Sequence, residues 1–405
     1  MKRLALTKEG TLTYCVAKDE NIGKGRCNHI AHKRDEESVE EFVIRAEKDL
    51  NNSIRVLDLK NLIDVDGLNT IPNATLGDDG VIRLNEGKSF GSPKMVGNQF
   101  KGDLIIDNKG FTFKKFVKLD RLNPLINGHW RHGMDYSNSS ITEDICSRFI
   151  ESISNTGIKS VLYNFSIFDL GNGIETGTIS DNYMEENVSE ELAIAPNSER
   201  EDMKNFRVTF DEYYDNVATE NDYNKILESM IDFFGRYRVK PDVAKKFIIQ
   251  QAGLDLILGN EDRKKNPSNF IFLIPSSIKK DVIPLNMDYG RCLQIFWTET
   301  SESRIEDMPD SEDVINEIVM DEVKNFSGGG LFGGNNLKES VDFLIDNGFR
   351  PFNLDKEKFL ASFNNLEEKI SKHGLKFKNY LKLKKKFIEE ILDNKEIKRM
   401  LKGGY

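Results

Sequence analysis

The segment from Leu254 to Gly290, LDLILGNEDRKKNPSNFIFLIPSSIKKDVIPLNMDYG, limits the folds open to this chain more than any other. It carries a polar loop with Asp262 and Asn269, an apolar run from 270 to 274, a turn, and a second apolar run from 282 to 285 that leads into Asp288-Tyr289-Gly290. Short apolar runs bounded by turn residues predict strands, here a hairpin. A hairpin returns the chain to its starting level, so Asn269 and Asp288 are expected to meet at its open end. One carboxylate and one amide oxygen suffice beside phosphates for Mg²⁺, a hard cation that keeps several of its waters. Asp262 then faces an acceptor hydroxyl as a base or orienting carboxylate. An Asp, a later Asn and an Asp-x-Gly across a hairpin form the residue pattern of kinase-type phosphoryl transfer. Asn266, four residues after Asp262, competes with Asn269 for the metal role; Asn269 is preferred because it abuts the strand directly.

A chain of 405 residues has room for one large domain or two to three ordinary ones. Hydrophobic residues at 38% and charged residues at 31% fit a globular chain with a real core. No apolar run approaches the roughly 18–20 residues that span a bilayer, and the first residues lack a secretory pattern, so a cytoplasmic location without membrane association is expected. Four cysteines make no disulfide framework. A net charge of −10 argues against nucleic acid as a partner. Lys382, Lys384, Lys385 and Lys386 form a local basic run, but Glu389 and Glu390 follow at once, as on a solvated helix face.

Three regions are expected. Residues 1–85 read as a small α+β module, with a capping-box helix from Ser38 to Leu50 and a Gly/Asn/Asp-rich linker or loop from Asn69 to Gly87. Residues 86–190 read as strands interrupted by one helix from Ile141 to about Ile153. Residues 191–405 read as helical apart from the hairpin. The Gly-rich stretch from Ser327 to Asn336 follows no strand and has no Lys-Ser/Thr, so it is expected to be a linker or flap rather than a phosphate loop.

A kinase-type site also needs a strand lysine for the α- and β-phosphates and a helical glutamate to hold it. In Phe111-Thr-Phe-Lys-Lys-Phe-Val-Lys118, the odd positions carry Phe111, Phe113 and Val117. Lys115 shares their parity, is expected to point inward, and is assigned as the nucleotide lysine; Lys114 and Lys118 point the other way. Glu143 is its candidate partner, although Ser140-Ile-Thr-Glu143 is also a capping box in which Glu143 would only close its own helix. Gly91, Ser92 and Lys94, in Phe90-Gly-Ser-Pro-Lys94, are the candidate phosphate loop, whose backbone N–H groups would cradle a phosphate.

A second constellation is Cys15, Cys27, His29 and His32, two thiols and two imidazoles within 18 positions. Such a set suits tetrahedral Zn²⁺, although the spacing is not a standard one. The alternatives are a buried Cys pair beside a basic loop, and anion binding by Gly23-Lys-Gly-Arg26.

Taken together, FKKF, the stretch YSNSSITEDICSRFI from Tyr136 to Ile150, and NEDRKKNPSNFIF with MDYG resemble the HipA-like serine/threonine kinases, in particular the short CtkA-like branch. The resemblance covers residues from about 86 to 395. It implies an α+β, two-lobed, protein-kinase-like (HipA-like) fold with a helical C-lobe, here preceded by the small N-terminal α+β module. It also implies ATP and Mg²⁺ as cofactors, transfer to Ser or Thr of a protein substrate, and a toxin-like or regulatory role with an antitoxin or regulator as partner. Lys115, Glu143 and Asp262 carry over as catalytic residues, and Asn269 and Asp288 as metal ligands. Autophosphorylation, common in the family, points to Ser89 or Ser92. Two other classes stay open: a non-catalytic pseudokinase that binds partners, and a small-molecule or lipid kinase, since a fold does not set the acceptor.

Overall fold

The computed structural model describes residues 2–7, 12–16, 26–27, 29–32, 41–42, 45, 57–58, 62–64, 72–85, 90, 99–108, 111–122, 139–154, 156–171, 173–181, 191–194, 213–260, 262–264, 269–275, 282–295, 312–333, 336–372 and 378–402. The chain mixes strands and helices, as the sequence predicts, and six strands close a barrel. They are β1 (Asn73–Leu76), β2 (Val81–Leu84), β3 (Gln99–Asn108), β4 (Phe111–Leu122), β5 (Tyr163–Asp169) and β6 (Ile174–Asp181), in the order β4-β6-β5-β2-β1-β3. Its interior holds Ala74, Ile82, Leu104, Ile106, Val117, Leu119 and Phe168. Closure gives each strand a neighbour on both sides over at least part of its length.

Two of these strands correct an expectation. Within the stretch expected to be a linker or loop, Asn73–Leu76 and Val81–Leu84 form β1 and β2. Its Gly and Asp residues mark the tight turn between them, where the Gly77 N–H donates to the Val81 carbonyl at 2.9 Å and Gly80 takes a φ of 85°. Each strand is only four residues long, too short for alternation to outweigh polar turn residues in a sequence window. The barrel therefore draws on residues before 86.

Helix α1 (Ser139–Ser152) packs against β5 and β6 and is buried along nearly its whole length. The remaining core lies among α2 (Tyr223–Arg236), α3 (Pro241–Leu258), α4 (Glu312–Asn325), α5 (Leu337–Asp346), α6 (Lys356–Lys372), α7 (Lys378–Asp393) and α8 (Lys395–Met400). Helix α3 starts with Pro241 at its first position and stops at Gly259, whose φ of 61° is the left-handed conformation that ends helices. Its mid and C-terminal residues are buried on all sides, so it forms a fixed post. The predicted hairpin follows as β7 (Phe270–Pro275) and β8 (Ile283–Asn286), antiparallel, with Phe270 opposite Asn286.

Toward the N-terminus a four-stranded sheet runs His29–His32, Leu12–Val16, Lys2–Thr7, Leu62–Asp64. Of the helix expected from Ser38, the described residues Glu41, Phe42 and Arg45 are helical. Among the described residues no helix is long and apolar enough to cross a membrane.

Candidate active site

On β4 the odd residues Val117 and Leu119 fill the barrel. Lys118, between them, points to the opposite face, against α1. It is 5% exposed, and its ammonium donates to Glu143 Oε1 at 2.5 Å and to Asp288 Oδ1 at 3.1 Å. Burial alone would lower this ammonium's pKa, but the carboxylates of Asp288 and Glu143 outweigh it and hold the pKa above its ordinary value. Glu143 thus meets Lys118, where the sequence led to the expectation of Lys115. That side chain lies half-buried with its ammonium 5.8 Å from the centre of the Phe113 ring, and Phe113 is itself 46% exposed. The apolar face fills the barrel, and the lysine that meets the glutamate stands on the other face.

Glu143 meets a β4 lysine, Lys118 in place of the expected Lys115, and does not close its own helix. The helix begins at Ser139, so Ser140 lies within it and Glu143 stands a turn further in. The second carboxylate oxygen of Glu143 accepts from the Thr178 hydroxyl at 3.3 Å. The N-terminus of α1 is capped instead from outside. Asp120, two residues beyond Lys118 on β4, accepts from the Ser140 N–H at 3.1 Å and from the hydroxyls of Ser140 at 2.5 Å, Ser139 at 3.2 Å and Thr176 at 2.7 Å.

The acidic loop is built on the end of α3. Asp255, one turn before the helix end, forms a fully buried ion pair with Arg263, Nε to Oδ2 at 3.0 Å. The guanidinium then reaches two more strands of chain. Its Nη1 donates to the Met287 carbonyl at 2.9 Å and to the Asn269 carbonyl. Arg263 is thus next to Asp262 in sequence, bonded to the backbone of Asn269, and bonded to the residue before Asp288. One planar side chain gathers the three expected site residues, a task for the fixed fork of an arginine. Burial raises the Asp255 carboxyl, and the Arg263 charge opposes that shift.

Two further contacts set the loop. The Asp262 N–H donates to Asn260 Oδ1 at 3.2 Å, and Asn260 Nδ2 donates to Asp255 Oδ1 at 3.0 Å. Asn269, 2% exposed, donates from Nδ2 to Asp262 Oδ2 at 2.9 Å, so its amide oxygen is the atom available to a cation. Asn266 lies outside the described residues. Asp288 is 26% exposed and holds a φ of 62°, a left-handed conformation rare for a residue with a side chain and concentrated at functional sites. Asp262 and Asn269 therefore meet, and Arg263 ties the Asn269 backbone to Met287, the residue before Asp288.

The Gly-rich stretch from Ser327 supports this loop and is neither linker nor flap. The Gly330 N–H donates to the Asn260 carbonyl at 2.7 Å, and a Cβ added to Gly329 would lie 2.3 Å from the Asn260 nitrogen. Leu331 and Phe332 behind it are buried. Its glycines permit close approach of two backbones, a use that composition alone does not separate from flexibility.

Among the described residues no three His, Cys, Asp or Glu side chains group as a metal site. Gly91, Ser92 and Lys94, and Ser89 before them, lie outside the described residues. Of the zinc candidates the backbone shows the ladder: Cys15 stands opposite Ile30, His29 opposite Val16 and His32 opposite Thr13, while Cys27 pairs with Leu57 in another sheet. Their side chains lie outside what is described.

Removing Arg263 alone would leave Asp255 buried without its counter-charge. Arg263→Ala is expected to cost about 3–5 kcal/mol of stability in urea unfolding. The double change Asp255→Leu with Arg263→Met should recover much of that loss while still loosening the loop.

No family model matches the chain, and no curated protein does. Among solved structures it is similar to the crystal structure of a Helicobacter pylori proinflammatory kinase, CtkA, at 15% identity and a TM-score of 0.43, over 78% of this chain and 94% of that one. A likeness of that degree leaves the functional reading to the side chains themselves.

Proposed function

We propose that this chain is an ATP- and Mg²⁺-dependent serine/threonine protein kinase, two-lobed, with the barrel and α1 as the nucleotide-clamping part and the helices from α2 onward as the other. The observation that carries the reading is the meeting of Lys118, Glu143 and Asp288, residues from a strand, a helix and the end of a hairpin, beside the hydrogen-bonded pair Asp262 and Asn269. A buried lysine between two carboxylates is costly to assemble for stability alone, since charges taken from water must be repaid by near-ideal geometry. As a phosphate-binding device it has a purpose.

In this reading Lys118 binds the α- and β-phosphates and Glu143 fixes its direction. Asp288 and the Asn269 amide oxygen would hold Mg²⁺, which when bound neutralises phosphate charge. Asp262 orients the acceptor hydroxyl and accepts its proton, kept in place by Asn269. The acceptor class, Ser or Thr of a protein, the chain's own serines included, rests on the family resemblance of the sequence motifs. So does a toxin-like or regulatory role with an antitoxin or regulator as partner.

Titration calorimetry with ATP tests the reading. Binding is expected with Mg²⁺ and should weaken when EDTA removes it. Absence of binding under both conditions would remove the proposal.

A further inference from the structure

Lys118 and Asp120 are two residues apart on β4 and so share a face, about 6.7 Å apart along the strand. Their partners on α1, Glu143 and Ser140, are three residues apart, about 4.5 Å along the helix. The contacts Lys118–Glu143 and Asp120–Ser140 are thus two rungs between one strand and one helix. The neighbouring strand β6 braces each rung with a threonine: Thr176 donates to Asp120 and Thr178 to Glu143. Between those threonines stands Gly177, where a Cβ would lie 2.4 Å from the Lys118 carbonyl oxygen, so β6 approaches β4 closely at this point.

The Asp120 rung ties the first turn of α1 to β4, one turn before the Lys118–Glu143 contact. We infer that Asp120 is a positioning residue that sets the Lys118–Glu143 pair by anchoring the N-terminus of α1 to the lysine's own strand. This rests on the kinase reading of the site. Burial pushes the Asp120 carboxyl up to about 6, against the pull of the donors around it. A carboxylate at a helix N-terminus also meets the positive end of the helix dipole, which favours it there. The helix has other anchors, among them Thr142 with Tyr380 at 3.1 Å and Arg148 with the Ser362 carbonyl at 2.6 Å, so loss of Asp120 should shift α1 rather than unfold it.

The test compares Asp120→Ala and Asp120→Asn with wild type. In Asp120→Ala, kcat is expected to fall about a hundredfold, the scale of a misplacement of about 1 Å, while KM for ATP changes far less. Asp120→Asn keeps an oxygen for the Ser140 N–H and should recover most of the rate. Hydrogen exchange of the first turn of α1 supplies a readout independent of activity: protection should drop in Asp120→Ala and return in Asp120→Asn. Wild-type protection and rate in Asp120→Ala would overturn the inference, and so would an Asp120→Asn variant as impaired as the alanine one. If wild type itself transfers no phosphate, the kinase reading fails, and the exchange data still decide whether Asp120 anchors the helix.

Discussion

Lys118→Ala is expected to lower phosphoryl transfer at least about a hundredfold, the cost of losing one charge-stabilising group at a reacting centre. Lys115→Ala should leave it within a few-fold of wild type. The two lysines are three residues apart on one strand and chemically identical, so the pair controls for charge, strand propensity and expression. Only Lys118 reaches Glu143 and Asp288. Its loss also leaves two carboxylates facing each other beside the barrel. Circular dichroism and a melting curve should accompany the assay, with Lys118→Arg as a variant that keeps the charge but not the ammonium's geometry. Equal loss from both alanine variants would mean that the Lys118 contacts are structural only.

Asp288 and Asp262 should separate binding from chemistry. Asp288→Asn is expected to abolish the Mg²⁺-dependent part of ATP binding and with it transfer, because it removes the carboxylate proposed for the metal. Asparagine is the better choice than alanine at a φ of 62°, since it tolerates the left-handed region. Asp262→Ala should leave Mg·ATP binding near wild type and reduce transfer by about 10²–10⁴, the contribution of a positioned general base. Calorimetry gives the first quantity and a transfer assay the second. If Asp262→Ala loses nucleotide binding while Asp288→Asn keeps it, the roles are assigned in reverse.

The hairpin and its acidic residues were legible in the sequence because their chemistry is local. Asp262, Asn269 and Asp288 fall within one segment, and strands of four to six residues with turn punctuation fix their register. Helix α1 was legible through its apolar period, and Glu143 through its place on it. The contact of Lys118 with Glu143 was not, because parity tells which residues share a face and not which face meets the helix. Asp120 as a remote cap needed α1 and β4 to be adjacent, a fact of the barrel's closure. Arg263 was visible as a neighbour of Asp262, but its role depends on Asp255 one helix end away and on two carbonyls across the hairpin. The strands β1 and β2 were hidden by the polar turn that joins them.

The most direct measurement is transfer of the γ-phosphate of labelled ATP, with Mg²⁺, by the full chain to itself and to a general protein acceptor, followed by mass spectrometry of the products. The expected result is Mg²⁺-dependent phosphate on serine or threonine, lost in Lys118→Ala and Asp262→Ala and retained in Lys115→Ala. Absence of transfer by a folded, ATP-binding wild type, or transfer undiminished in Lys118→Ala, would contradict it.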